Sequence, residues 1–227
     1  MTERRERLYQ HICAELGYPR QADRLARDYL ARRIHRGPAL PDFHGANVVI
    51  CGAGPSLAGE LGRLDAADAI VTASTATDVV TAAGHRIDLM VTDLDKNPET
   101  AARLSNKQVP VAIHAHGDNL ELLRRWVPRC DDRWVIPTTQ ACPVAAVVNP
   151  GGFTDGDRAA YLADRAGASS LGFIGWDLDD PTVEADKAVK LHWAAVALLV
   201  LGDERGEEYG WIDATAPTIA ARWDQIQ

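Results

Sequence analysis

The chain has 227 residues, 46% of them hydrophobic, enough to bury a full core in one domain with a small appendage. Its formal net charge is −8, with 4 lysines against 20 arginines, a balance that disfavours a general nucleic-acid binder, whose phosphate contacts need a clustered basic face. No run of about 18 apolar residues offers a membrane span, and the charged start Met1 to Arg7 lacks the apolar stretch of a secretory signal, so a cytoplasmic protein is expected. Cys13, Cys51, Cys130 and Cys142 show no C-x-x-C spacing, which predicts neither a zinc site nor a disulfide framework; Cys51 is expected to pack as a small hydrophobe.

Residues 2–35 read as two helices broken near Gly17-Tyr18-Pro19, with Leu8, Ile12 and Leu16 forming the apolar stripe of the first and Leu25, Tyr29 and Ile34 that of the second. They form an N-terminal helical appendage, residues 1–36, ahead of an α/β catalytic domain, residues 37–227. Their arginines are read as a solvated face, and the two helices offer a surface for a homodimer. After the loop Gly37 to Gly45, short apolar runs alternate with helical stretches: 47–51, 69–72, 87–91, 109–113, 144–148 and 170–174. Strands alternating with helices predict a mostly parallel sheet flanked by helices, in which ligands bind beyond the carboxyl ends of the strands. A helix over 182–201 and a short one after Thr215 close the chain.

Chemically loaded residues fall where the expected strands stop. The first strand enters Gly52-Ala53-Gly54-Pro55-Ser56, a glycine turn before a helix, which suits an anion or a plain tight turn. The third ends in Thr92-Asp93-Leu94-Asp95-Lys96, two carboxylates whose hard oxygens suit Mg²⁺; a helix cap needs only one of them. The fourth ends in His114-Ala115-His116-Gly117-Asp118-Asn119, so neighbouring parallel strands are expected to gather Asp93, Asp95 and Asp118. The two histidines suit a transition metal less well, since no third nitrogen or sulfur ligand accompanies them. Asn149-Pro150-Gly151-Gly152-Phe153-Thr154-Asp155-Gly156-Asp157-Arg158 joins a glycine turn to a helix start, suited to a polyphosphate or to a cap at Thr154 or Asp155. Gly175-Trp176-Asp177 ends the last strand, and Lys187 and Lys190 sit one turn apart on the helix that follows.

Together TDLD (92–95), HAHGDN (114–119), TTQ (138–140), GGFTDGDRA (151–159) and the lysine-bearing helix resemble the archaeal-type 6-hydroxymethylpterin diphosphokinases, over about residues 37–201. That family is similar to the catalytic domain of thiamin pyrophosphokinase. The resemblance implies ATP as donor, AMP as leaving product, Mg²⁺ as cofactor, and a reduced hydroxymethylpterin as acceptor in folate or tetrahydromethanopterin synthesis. It makes Asp93, Asp95 and Asp118 the catalytic metal carboxylates. It gives Asp155, Asp157 and Arg158 to ATP or metal and Lys187 and Lys190 to the phosphates; Gly52, Gly54, Ser56, His116, Asn119 and Thr154 are expected on the nucleotide side, and Phe153, Trp176 and Asp177 are candidates for the pterin ring, with core packing the alternative for Phe153. Lys96 stands where the family often has glycine, and Asn149-Pro150 precedes the GGFTDGDRA box. Competing readings are a thiamin pyrophosphokinase, a nucleotide-sugar transferase built on the Asp-x-Asp pair, and a non-catalytic nucleotide-binding module.

Overall fold

The computed structural model describes residues 2–35 and 40–227. The expected boundary between residues 36 and 37 lies outside the described residues, as does the loop segment 36–39.

Two helices come first, α1 (Glu3–Leu16), closed by Gly17 in the left-handed conformation, and α2 (Arg20–Arg33). Strands and helices then alternate: β1 (Asn47–Cys51), α3 (Leu57–Glu60), β2 (Ala69–Ala73), α4 (Ala76–Ala82), β3 (Leu89–Thr92), α5 (Pro98–Asn106), β4 (Val111–Ala115), α6 (Leu120–Trp126), β5 (Val135–Thr139), α7 (Asp155–Arg165), β6 (Ser170–Ile174), α8 (Ala185–Arg205) and α9 (Pro217–Trp223). The six strands form one all-parallel sheet in the order β5-β4-β3-β2-β1-β6. The chain therefore walks outward from β1 to β5 and returns through α7 to lay β6 on the other side of β1. That reversal makes the gap between β1 and β6 the switch point, where such sheets open a crevice.

Residue alternation along the strands divides the core. Val48, Ile50, Val71, Leu89, Val91, Ala112 and Ile136 face one layer, made by α1, α7 and α8 around Trp193 and Tyr161. Val49, Cys51 and Ile70 face α3 and α4, while Met90, Val111, Ile113 and Val135 face α2, α5 and α6. Both faces of a parallel sheet are thus covered. The N-terminal helices belong to these layers. Leu8 and Ile12 join the first, and Ala26, Leu30 and Ile34 join the second, each fully buried large aliphatic chain contributing about 1.5–3 kcal/mol.

Three corrections to the sequence reading follow. The apolar stripe of α2 runs through Ala26, Leu30 and Ile34, whereas Leu25 is 56% exposed. The strands expected at 87–91 and 109–113 begin two residues later, because Ile87 and Val109 are apolar residues of the entering turns. The fifth strand is β5 at 135–139; residues 144–148 make only isolated bridges, Val144 to Val147 and Val148 to Thr138. Pro137 sits in the middle of β5 and cannot donate to a ladder, which is tolerated because β5 is the sheet edge. Among the described residues no helix is long and apolar enough to cross a membrane. The four cysteines are free, and Cys51 is fully buried.

Candidate active site

A cavity of about 580 Å³ lies beyond the carboxyl ends of the strands. Its floor comes from the turns after β1, β3, β4, β5 and β6, and its sides from Tyr18 and Asp23 of the N-terminal segment, the start of α7, and Lys187 and Lys190 of α8.

The turn after β3 sets the carboxylates. Leu94 takes a left-handed conformation (φ +71°), costing roughly 1–2 kcal/mol, and is repaid by full burial of its side chain. Thr92 Oγ1 accepts from Leu94 N at 2.9 Å, and Asp93 Oδ1 accepts from Asp95 N at 3.0 Å, which folds both aspartates toward the cavity. His116 Nδ1 accepts from Asp118 N at 3.3 Å, so its Nε2 carries the hydrogen facing Asp93 Oδ2, also 3.3 Å away. Burial by itself would raise the Asp93 carboxyl, but the hydrogen bonds from His116 and Asp95 outweigh it and hold Asp93 well below the usual carboxylate range. Asp95 moves the opposite way, raised by burial and by Asp93 beside it, with Lys96 at 3.4 Å opposing. One charge is thus held on Asp93 while its neighbour keeps its proton more readily.

The third carboxylate crowding this pair is Asp155, at the first turn of α7. Burial, then Asp93, then Asp95 push it well above its ordinary value, against Arg158, whose Nη1 lies 3.8 Å from Asp155 Oδ1. Asp118 lines the same cavity from the turn after β4 but is solvent-exposed. Asn119 staples the two turns, its Nδ2 donating to the carbonyls of Asp93 (2.8 Å) and His114 (2.7 Å) while its Oδ1 accepts from His116 N.

The α7 start is built as a capping box. Asp157 accepts from Thr154 N at 2.7 Å, from the Thr154 hydroxyl, and from Phe153 N at 2.5 Å, so both its oxygens serve the backbone. Arg158 is 1% exposed, donates from Nη2 to Phe153 O at 2.9 Å, and leaves Nε without a partner.

The glycine turn after β1 does something other than wait for a phosphate. Asp177 Oδ2 already accepts from Ser56 N (3.0 Å) and from the Ser56 hydroxyl (2.9 Å). Gly52 and Gly54 let the loop after β6 close in: a Cβ on Gly52 would meet Gly175 O at 2.5 Å, and one on Gly54 would meet Asp177 Oδ2 at 2.2 Å. Gly52→Ala is therefore expected to destabilise the fold by about 1–3 kcal/mol, read as a lower urea midpoint at unchanged slope; an unchanged midpoint would refute the close approach.

Of the aromatic candidates, Phe153 faces Tyr18 with centroids 6.4 Å apart. Trp176 lines the cavity from the far end, packed edge-on to Phe173 and tilted against Trp211, its Nε1 donating to Ile50 O at 3.3 Å. Lys190 Nζ lies 5.8 Å over the Tyr18 ring, and Lys187 is exposed at the rim. Among the described residues no three His, Cys, Asp or Glu side chains form a metal cage by themselves. Mg²⁺ characteristically takes one or two carboxylates and completes its shell with water and substrate phosphates, and the mutual repulsion of Asp93, Asp95 and Asp155 fits a cation that only partly protein oxygens would hold.

Residues 30–182 match the model of the family described as 6-hydroxymethylpterin diphosphokinase MptE-like. The chain belongs to this family. A Methanothermobacter thermautotrophicus protein named 6-hydroxymethyl-7,8-dihydropterin pyrophosphokinase is 35% identical over 77% of each chain, and a Pyrococcus furiosus protein of the same name is 36% identical over 74% of each. A Methanocaldococcus jannaschii protein, again so named, is 27% identical over 88% of this chain and 95% of its own. The family segment holds the carboxylates of the β3 and β4 turns, the α7 box and the β6 turn. Tyr18 and Asp23 precede it, and Lys187 and Lys190 follow it.

Asp23 in this family member's cavity escapes the sequence reading, in which His114 is weighed only as half of a transition-metal pair. Asp23, 2% exposed, accepts from Gly117 N at 2.8 Å, from Gln140 Nε2 at 2.9 Å and from the Tyr9 hydroxyl, tying α2 to the turns after β4 and β5. Gly117 permits that approach, since a Cβ there would stand 2.6 Å from Ala22 Cβ. His114, also 2% exposed, lines the cavity behind His116. An aspartate on a polar helical face carries no signal of burial, because two of its three donors come from distant segments.

Proposed function

We propose that this chain transfers a diphosphoryl group from ATP to the hydroxymethyl oxygen of 6-hydroxymethyl-7,8-dihydropterin, releasing AMP and a pterin diphosphate usable in folate or tetrahydromethanopterin synthesis. The observation that carries the reading is the crowding of Asp93, Asp95 and Asp155 beside buried Arg158, at the centre of a cavity large enough for two substrates. The names of the relatives support the acceptor and the reaction type.

The hydroxyl oxygen attacks the β-phosphorus in line, the bond to the oxygen bridging the α-phosphate breaks, and the hydroxyl proton passes to a carboxylate of the cluster. Asp93 and Asp95, with Asp118 at the rim, are the residues that would hold Mg²⁺, which when bound supplies neutralisation of charge on the phosphate oxygens. Lys187, and Lys190 over the Tyr18 ring, present cations at the mouth to the polyphosphate. Holding both substrates in one cavity removes about 7–11 kcal/mol of the barrier through orientation, so no strong general base is required. The turns wall off bulk water on the sheet side, which strengthens each charge interaction.

Product analysis tests the proposal. Purified protein given ATP, Mg²⁺ and the reduced hydroxymethylpterin is expected to form AMP and pterin diphosphate in equal amounts. AMP formed with thiamin and not with the pterin would transfer the activity to the thiamin reading, and no AMP with either would overturn diphosphoryl transfer.

A further inference from the structure

The end of the cavity under β4 and β5 is lined by Tyr18, Phe153, His114 and Gln140, away from the β1–β6 crevice. Two acceptors meet there. Thr138 Oγ1 lies 3.1 Å from His114 Nδ1 and donates its single proton to Ile113 O at 3.2 Å, so the hydroxyl turns a lone pair to the ring. His114 Nδ1 therefore carries the hydrogen and Nε2 is bare, an acceptor that is buried with no partner. Gln140 is oriented by the same logic. Its Nε2 donates to Asp23, a carboxylate that only accepts, so its Oε1 is the end left toward the His114 ring. Burial first, then Arg158 and the neighbouring His116, outweigh Gln140 and hold the imidazole well below its usual range, which keeps it neutral.

We infer that His114 reads the acceptor's ring: its Nε2, with Gln140 Oε1 beside it, takes hydrogen bonds from an amino-pyrimidinone edge, which carries an amino group and a ring N–H side by side, while Tyr18 and Phe153 wall the ring. This inference rests on the proposed pterin reaction and relocates the ring from the Trp176–Asp177 end to the α2 end. Asp23 fixes Gln140, so α2 positions the reading pair without touching substrate.

Steady-state kinetics and histidine NMR test it. His114→Leu is expected to raise KM for the hydroxymethylpterin about 10- to 100-fold, since it deletes an acceptor facing a buried donor, and to leave KM for ATP within about twofold. His114→Gln, which restores an acceptor oxygen, is expected to recover most of the loss. In the unmodified protein labelled with ¹⁵N-histidine, His114 should show a hydrogen on Nδ1 and a bare Nε2 whose resonance moves when the pterin is added without ATP. A hydrogen on Nε2, no movement with saturating pterin, or an unchanged pterin KM in His114→Leu would each overturn the inference while leaving the reaction intact. Absence of AMP release from the unmodified protein would overturn the reaction itself, and this reading with it.

Discussion

Asp93→Ala is expected to lower kcat for AMP formation on the order of 10³-fold while the protein melts close to the unmodified temperature. Asp93 is the one member of the aspartate cluster whose hydrogen bonds overcome burial and hold it ionised, through His116 Nε2 and Asp95 N. Without it the remaining members lose their charged centre: Asp95 and Asp155 are both raised, in part by Asp93 itself. The turn should survive, because Leu94 is anchored by its own burial and by Thr92 Oγ1, neither of which depends on the Asp93 side chain. AMP release measured at saturating substrates, beside a circular-dichroism melt, decides the matter. A variant within threefold of the unmodified kcat would remove Asp93 from the reaction.

Arg158→Leu is expected to cost stability as well as activity, about 3–5 kcal/mol, seen as a fall in melting temperature of roughly 6–20 °C. Arg158 is 1% exposed between Asp155 and Asp157, and its removal leaves buried carboxylates without their cation. Asp155→Asn placed on the same chain removes part of that uncompensated charge, so the double variant should melt above the single one. Equal melting of both, or a single variant within about 2 °C of the unmodified protein, would show that Arg158 does not balance Asp155.

Much of this arrangement could be read from the sequence because parallel strands buried on both faces are short apolar blocks, and blocks ending in polar residues reveal which edge carries chemistry. Runs 47–51, 69–72 and 170–174 correspond to β1, β2 and β6 within a residue. The motifs after β1, β3, β4 and β6 and at the start of α7 all line one cavity, as their positions at strand ends required. What stayed hidden depends on distance in the chain. β5 carries a proline that only an edge strand tolerates, and edge position is a property of the assembled sheet. Ser56 reads as a phosphate ligand until Asp177, 121 residues later, is found on its amide. Asp155 reads as a cap or a phosphate-side residue, and only the packing of α7 across the sheet brings it against Asp93. The tautomer of His114 needs Thr138 and Ile113 placed around it.

The docking of α1 and α2 has a consequence for how the molecule comes into being. Thr2 and Arg5 bond Glu204, Arg4 pairs with Asp203, Arg7 reaches the Ile226 carbonyl, and Glu15 meets Trp193 and Arg222. Asp23 waits for Gly117 and Gln140. The N-terminal helices thus take their partners from positions between 117 and 226, and contacts over such separations form slowly. Closure of the α2 wall of the binding chamber is therefore expected to follow formation of the sheet that carries the carboxylate turn.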